Sequence, residues 1–485
     1  MASILSFGAY VPRLRMQRQS IYVANRWFAP GLRGLAKGER AMANWDEDVV
    51  TMAVEAARDC LSERNRSDIS AVLLASTSFP YLDRQNAGIV KEALNLDDRV
   101  STLDVGMSQK AGIDALVEAL LAAPVRTKPT LVIGSEVRRA KPASEDELTN
   151  GDGATAFLVG ETDGIARLVA HHSLSIDLVD HFRAEGEAFD SNWEARWVKE
   201  KGLEIVSRAL KGALDAAGLS GGDIDHLAVG VPGRGVGRSI AKACGLKPEA
   251  VCDDLSQTLG HAGTAHALVQ FALALENAGA GQKIAVIGFG QGATVAIFET
   301  TDALTEYAAR PLAAALARKE PELNYMKFLA FTGNLKLELG KRAEFDQKPV
   351  LTALYRNRKA VMGLVGGRCT RTGTVQFPRS EISVSQNDPA VGTQEDYPLA
   401  EKTARILTFT ADSLTYTPDP PNFYGMVEFD GGGRMLAEFT DCNADMIEVG
   451  SEMRMMFRIK AVDNHSGFVK YFWKAVPVTG EHSHG

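Results

Sequence analysis

No apolar run in this chain is long enough to span a bilayer. Its N-terminus, MASILSFGAYVPRLR, lacks the apolar stretch and small-residue cleavage site of a secretion signal. Charge of one sign is scarce as well. A net charge of −8 over 485 residues gives no electrostatic reason to expect nucleic acid as a partner, and no membrane is expected either. Cysteine is sparse: Cys60, Cys244, Cys252, Cys369 and Cys442 are widely separated, with no C-x-x-C pair. An odd, scattered set without a secretion signal reads as reduced thiols in a cytoplasmic protein. Cys60 and Cys244 fall on apolar helical faces and read as core. What remains is ordinary globular composition, 45% hydrophobic and 24% charged, in a chain too long for one core.

The most telling feature present is an internal repeat. VSTLDVGMSQKAGIDAL from Val100 and VCDDLSQTLGHAGTAHAL from Val251 align without a gap through an Ala-Gly pair. AVLLAS at Ala71 similarly resembles HLAVGV at His226, and LVIGSE at Leu131 resembles AVIGFG at Ala285, all at nearly the same offset. A constant offset over several elements implies a duplicated β-α-β-α-β unit. Short apolar strands alternating with helices such as IDALVEALLA imply parallel pairing through right-handed crossovers, in a sheet covered on both faces. Each Ala-Gly pair marks a buried strand handing over to a helix. There the first N–H groups are unpaired and the dipole is positive, a setting that stabilises a nucleophile or an oxyanion. Gln109 and Lys110 occupy one junction and His261 the other, with no cysteine at either.

The halves are expected at 1–165 and 166–305. A linker with an amphipathic helix, within Ala308 to about Gln347, opens the next segment, 306–395. From 396 to 478 the pattern becomes short strands: ARILTFTADSL, NFYGMVEFD, GRMLAEFTD, SEMRMMFRIKAV and FVKYFWKAV. Asp430 and the glycines ending at Gly433 supply a hairpin turn, and five such strands suggest an OB-fold barrel.

The fold class expected is therefore α/β, and its motifs resemble the thiolase superfamily. The stretch GERAMANWDEDVVTMAVEAARDCL (Gly38 to Leu61) is similar to a segment of prokaryotic HMG-CoA synthases, NGDGATAFLVG (Asn150 to Gly160) to their Q-G-[DA]-G-A strand, and VIGFGQGAT (Val286 to Thr294) to their closing G-x-G-x-G turn. The tail, with GLVGGRCTRTGTVQFPR before the barrel, resembles the zinc-ribbon/OB-fold accessory subunit of such enzymes, here fused. The resemblance implies a duplicated thiolase-like α/β/α/β/α fold with a C-terminal all-β OB-fold barrel. It also implies a homodimer, and coenzyme A or acyl-CoA as substrate.

The departures from that pattern bear on chemistry. The family's nucleophilic Cys falls on Gln109, its acid/base Glu on Thr77, its first His on Gly230 and its Asn on His261. No acyl-S-cysteine can form there. The ribbon is degenerate too: Cys369 remains, but Thr372 stands where C-x-x-C would place its partner, and no metal is expected without four ligands. Gln109 could donate to an enolate oxygen or simply fill a vacated pocket. His261, at a helix start, could polarise a carbonyl or take a proton, or could serve as a cap. Thr77, with Tyr81 and Asp83 in the loop after its strand, is expected at the same crevice, because ligands sit beyond the carboxyl ends of such strands. His181 and Arg183 lie in the segment between the halves. Arg234, Arg238 and Lys242 open a helix after a strand, where they could hold coenzyme A phosphates or form a solvated basic face. Arg183 joins them as a candidate for that role, with Arg138 and Arg139 as lesser ones, and His266 reads as helix packing.

These residues suit Claisen or retro-Claisen chemistry on a β-keto acid or β-ketoacyl-CoA without a covalent intermediate. A malonyl-type thioester decarboxylase is an alternative, since decarboxylating members of the superfamily carry Gln in place of the Cys beside two histidines. A third reading is a non-catalytic acyl-CoA-binding partner of a thiolase.

Overall fold

The computed structural model of the protein describes residues 2–338 and 350–478. They fall into two compact units: one from residues 1–44, 48–88 and 97–336, the other from 45–47, 89–96 and 337–485.

The first unit carries one hydrogen-bonded sheet of nine strands. In spatial order these are His226–Gly230, Lys283–Phe289, Gly292–Thr300, Ala166–Ser175, Ser3–Tyr10, Gly153–Gly160, Thr130–Glu136, Ala71–Ala75 and Ser101–Val105. The strands joined through helices pair in parallel, as their alternation with helices predicts: Ala71–Ala75 with both Ser101–Val105 and Thr130–Glu136, and His226–Gly230 with Lys283–Phe289. The remaining ladders are antiparallel. Between Lys283–Phe289 and Gly292–Thr300 the cause is plain, because a connection of only Gly290 and Gln291 can join antiparallel strands but not parallel ones.

Helices Ala111–Ala122 and His266–Asn277, the two that follow the repeated Ala-Gly pairs, pack on each other and on strands from both halves. Their all-apolar faces, including Ile113, Leu116, Leu268 and Phe271, are buried in one core. Val49–Leu61 covers the N-terminal half from outside, while Ala195–Ala217 covers the other. The result is a five-layered α/β/α/β/α arrangement.

Two local expectations change. Ser101–Val105 is not a buried strand but the sheet edge, with Leu103 53% exposed. The matching segment after Val251 is not a strand beyond a single bridge to Leu227. There the carboxylates of Asp253 and Asp254 accept from the N–H groups of Leu255 and Ser256, and such local turns compete with a ladder. Beyond the duplicated region, helices Pro311–Ala317 and Tyr325–Phe331 occupy part of the charged stretch, and Phe328 is buried with Met16, Ile21 and Met42. The expected helix stops at Phe331, residues 332–338 being turns and irregular chain, and its remainder, from 339 on, lies outside the described residues.

In the second unit, Val375–Gln376, Val365–Cys369 and Gln394–Pro398 form a three-stranded sheet. The five strands read from the tail form an antiparallel sheet in the order Arg434–Glu438, Asn422–Phe429, Ala404–Asp412, Glu452–Asp463 and Phe468–Pro477. A bridge between Phe439 and Ala475 draws its two edges together, as a barrel requires. Alternate residues of Asn422–Phe429 are buried, and Gly431, Gly432 and Gly433 turn the hairpin with φ of +89°, +104° and +90°. Trp45–Glu47 belongs to this unit: Ile459 N–H donates to the Asp46 carbonyl at 2.8 Å, and Arg458 pairs with Glu47 and Asp441.

Candidate active site

The two Ala-Gly helix starts meet. A Cβ on Gly112 would lie 2.4 Å from the Thr264 carbonyl oxygen, so the approach requires glycine there. This contact brings the residues before each helix into one place. Ser108 donates to the Gly290 carbonyl at 2.9 Å, and its hydroxyl accepts from Lys110 N–H at 3.3 Å, which fixes the first turn. Lys110 itself is directed to Asp114 at 2.6 Å, and Asp114 also holds the Thr294 hydroxyl.

Gln109 is buried, and its amide satisfies its surroundings in one orientation only. With Oε1 turned inward it accepts from Arg138 Nη1 at 2.9 Å, Arg138 Nη2 at 3.0 Å and His181 Nε2 at 3.0 Å. The opposite orientation would set its NH2 group against guanidinium N–H groups, donor to donor. His181 Nδ1 lies 3.0 Å from Asp180 Oδ2. Asp190 pairs with both Arg138 and Arg183, and Arg183 also donates to the Thr77 carbonyl. Asp180, His181, Arg183 and Asp190 all come from the segment linking the two halves, which turns back through the short pairing of His181–Phe182 with Ser191–Asn192.

Glu136 closes the other side. Fully buried at the end of Thr130–Glu136, it accepts from Thr77 Oγ1 at 3.0 Å, Thr77 N at 3.1 Å, Ser76 Oγ at 3.3 Å and Thr264 N at 3.2 Å, and from the Ser78 hydroxyl. One carboxylate thus ties the loop after Ala71–Ala75 to the start of the second repeated helix. A Cβ on Gly263 would meet Glu136 Cγ at 2.7 Å and Arg138 Cδ at 2.9 Å, so both side chains reach that helix start.

His261 precedes the start rather than opening the helix, which begins with a 3-10 turn at Gly263–Ala265. Its backbone bridges to Asn150, and its Nδ1 accepts from Gly263 N–H at 3.2 Å. Nε2 is buried and makes no hydrogen bond of normal geometry, although the Gly230 carbonyl is near enough to favour protonation slightly. Burial, His266, Arg138 and His181 together hold the ring well below the ordinary histidine range. With Nδ1 accepting, the neutral His261 ring carries its proton on Nε2, which is left as a donor. His266 stacks beside it at 4.3 Å between ring centroids, and burial lowers it to about 4.

The structure thus brings Gln109, Thr77, His181, Arg183 and His261 together. Asp83 is exposed, and Tyr81 packs beneath the Arg84 guanidinium at 4.7 Å; neither joins the hydrogen-bonded set. Arg183 is engaged with Asp190 and Thr77 instead of facing open solvent as a phosphate ligand would. Arg234, Arg238 and Lys242 are exposed around helix Val236–Cys244, with Arg234 reaching the Gly34 carbonyl at 3.4 Å. Glu136, Asp180 and Asp190 were missed by reading the sequence; the strand-terminal Ser135-Glu136 pair was the one local signal. No thiol joins the set. Cys60 lies in a helix against Ser6 with its thiol pushed up to about 12 by burial, Cys244 donates to the Ser207 carbonyl, Cys252 follows the Val251 bridge, and Cys369 and Cys442 belong to the second unit.

Residues 397–458 match the C-terminal OB-fold domain of ChsH2, and residues 214–298 match the C-terminal part of 3-oxoacyl-[acyl-carrier-protein] synthase III. The hydroxymethylglutaryl-CoA synthase of Caldivirga maquilingensis is 31% identical over 314 residues, covering 62% of this chain and 88% of that protein. The chain belongs to the hydroxymethylglutaryl-CoA synthase family. It is an enzyme of the thiolase superfamily with an OB-fold domain fused at its C-terminal end. The Aeropyrum pernix synthase is 30% identical over 345 residues, covering 69% of this chain and 95% of that one. Among solved structures, MvaS in complex with 3-hydroxy-3-methylglutaryl coenzyme A shares the fold with a TM-score of 0.61 at 21% identity, over 70% of this chain and 93% of that one. The synthase III FabH of Pseudomonas aeruginosa aligns with a TM-score of 0.55 at 17% identity, over 62% and 98%.

Proposed function

We propose that the enzyme makes or cleaves a carbon–carbon bond next to an acyl-CoA carbonyl, by Claisen-type chemistry without an acyl-enzyme. The observation that carries this reading is the pairing of a buried, neutral His261, whose Nε2–H is a donor, with the oriented amide of Gln109, in a site without a thiol. In the cleavage direction, the coenzyme A thiol loses its proton to water, the sulfur attacks the β-carbonyl of a β-keto acid or β-ketoacyl-CoA, and His261 Nε2–H donates to the oxygen on which charge develops. The Cα–Cβ bond then breaks, its electron pair forms an enolate, and water delivers the proton to the α-carbon. The products are a new acyl-CoA and the shortened acid or thioester. Gln109 N–H groups stabilise the enolate oxygen, a contribution typically worth about 10²–10³ in kcat per donor. Cleavage is favoured over synthesis because no protein thioester is available to drive condensation.

The nucleotide end of coenzyme A is assigned to Arg234, Arg238 and Lys242. The exposed neighbours Trp27 and Phe28, 5.6 Å apart between rings, lie shortly before Gly34, whose carbonyl Arg234 contacts. The exposed edge strand Ser101–Val105 leaves the sheet open to a second copy, in keeping with a homodimer.

A second reading has its own support. Decarboxylation of a malonyl-type thioester calls for Gln109 between two imidazoles, and His181 supplies the one that sequence matching lacked. Purified protein given coenzyme A and a panel of β-keto acids should release new thioesters, detected by mass. Release of CO2 from malonyl-CoA with no thioester exchange would favour the second reading instead. Absence of both would overturn the catalytic assignment of the site.

A further inference from the structure

An amide side chain has two chemically opposite ends of nearly equal shape. Which end Gln109 offers to a substrate decides whether the site attracts or repels an enolate. All three hydrogen bonds of the satisfied orientation end on its oxygen, which leaves the NH2 group for a ligand. Two of the three donors belong to Arg138, and a histidine alone cannot set the orientation, because an imidazole nitrogen can either donate or accept. A guanidinium can only donate. Arg138 is itself immobilised: it is 8% exposed and paired with Asp190, whose second oxygen holds Arg183 at 3.1 Å, and Arg183 is fastened to the Thr77 carbonyl.

We infer that Arg138 is a positioning residue that locks the Gln109 amide oxygen-inward, so that the site presents N–H groups to the reacting oxygen. The role of those N–H groups rests on the reading under Proposed function; the lock itself does not. Asp190 and Arg183 brace the lock from the segment between the halves, so the sequence that links the two repeats sets the polarity of the reaction centre.

The test uses full-length protein labelled with 15N-histidine, the His181 signal being assigned with a His181→Asn variant. In the parent protein His181 Nε2 should carry a proton, since it donates to the amide oxygen, and its 15N shift should be that of a protonated ring nitrogen. In Arg138→Met the amide is free to turn, and Nε2 should move toward a pyridine-type shift as it accepts from NH2. Arg138→Lys, which keeps a donor-only group, should restore the parent signal. With a β-keto substrate, Arg138→Met should lower kcat about 100-fold with KM changed less than about threefold, and Arg138→Lys should recover most of it. An unchanged His181 signal in Arg138→Met overturns the inference, whether or not turnover falls. If that variant does not fold, Gln109→Glu decides: it keeps the shape and the inward acceptor but turns an oxygen toward the substrate, so retained turnover overturns the inference. If the parent protein turns over no substrate, the catalytic reading fails while the 15N signals still judge the lock.

Discussion

At the scale of single residues, the site depends on groups kept neutral or kept oriented. His261 is a donor in an uncharged ring, and burial, His266 and Arg138 oppose its further protonation. Replacing His261 with Ala should reduce thioester release by about 10²–10³, as for loss of an oxyanion donor, while coenzyme A binding followed by calorimetry stays near the parent value. His266 offers a pH test of stability. Burial lowers it to about 4 in the folded protein, against about 6.5 unfolded. As pH falls the unfolded chain takes up the proton first, so the contribution is complete above about 6.5 and is lost progressively toward 4, amounting to roughly 3 kcal/mol. Thermal midpoints measured from pH 7 to pH 4.5 should therefore fall, and His266→Gln should flatten that slope.

Among the elements, the decisive contact is between the two repeated helix starts. Gly112 admits the Thr264 carbonyl, and Gly263, with φ of +47°, admits Glu136 and Arg138. A methyl at Gly112 must push one helix from the other. Gly112→Ala should cost about 1–3 kcal/mol in urea unfolding, the usual penalty for overpacking, and should lower turnover beyond what the stability loss explains, because Gln109 and His261 would separate. The sequence made this pairing legible, since both helix starts carry the same Ala-Gly signature. It did not show that the connecting segment folds back into the site, because DHFRAEGEAFDSNW has neither helical nor strand periodicity. Its ordering comes from ion pairs between Asp190 and arginines 52 and 7 residues away.

For the whole molecule, the second unit draws on three separated stretches of chain. Arg458 is fully buried with Glu47 at 2.9 Å and Asp441 at 2.8 Å, and Lys474 is 3.0 Å from Asp46 and lies over the Trp45 ring at 4.2 Å. Arg458→Met would leave buried carboxylates without their main partner, a loss of about 3–5 kcal/mol measurable by chemical denaturation. A fragment of residues 337–485 lacks both 45–47 and 89–96, so it should show no cooperative unfolding by near-ultraviolet circular dichroism. Trp45–Glu47, part of a stretch similar in sequence to a synthase segment, thus belongs to the second unit, while Asp48 caps the helix Val49–Leu61 of the first.

The sequence by itself determined the repeat, most strands and helices of both halves, the barrel and the family, because those follow from periodicity, turn residues and local similarity. It also determined that no thiol stands at the helix starts. Only the tertiary structure decided what replaces the missing groups. Thr77, a hydroxyl where a carboxylate is expected, receives one from Glu136 on the neighbouring strand. Gln109 receives its orientation from Arg138, and its second imidazole from His181. Those partners lie 29 to 72 positions away from Gln109, and 59 from Thr77, and side chains that meet across strand ends leave no trace in local pattern. Hydrogen bonding and charge pairing are satisfied in space, whereas periodicity records only which face of each element is buried.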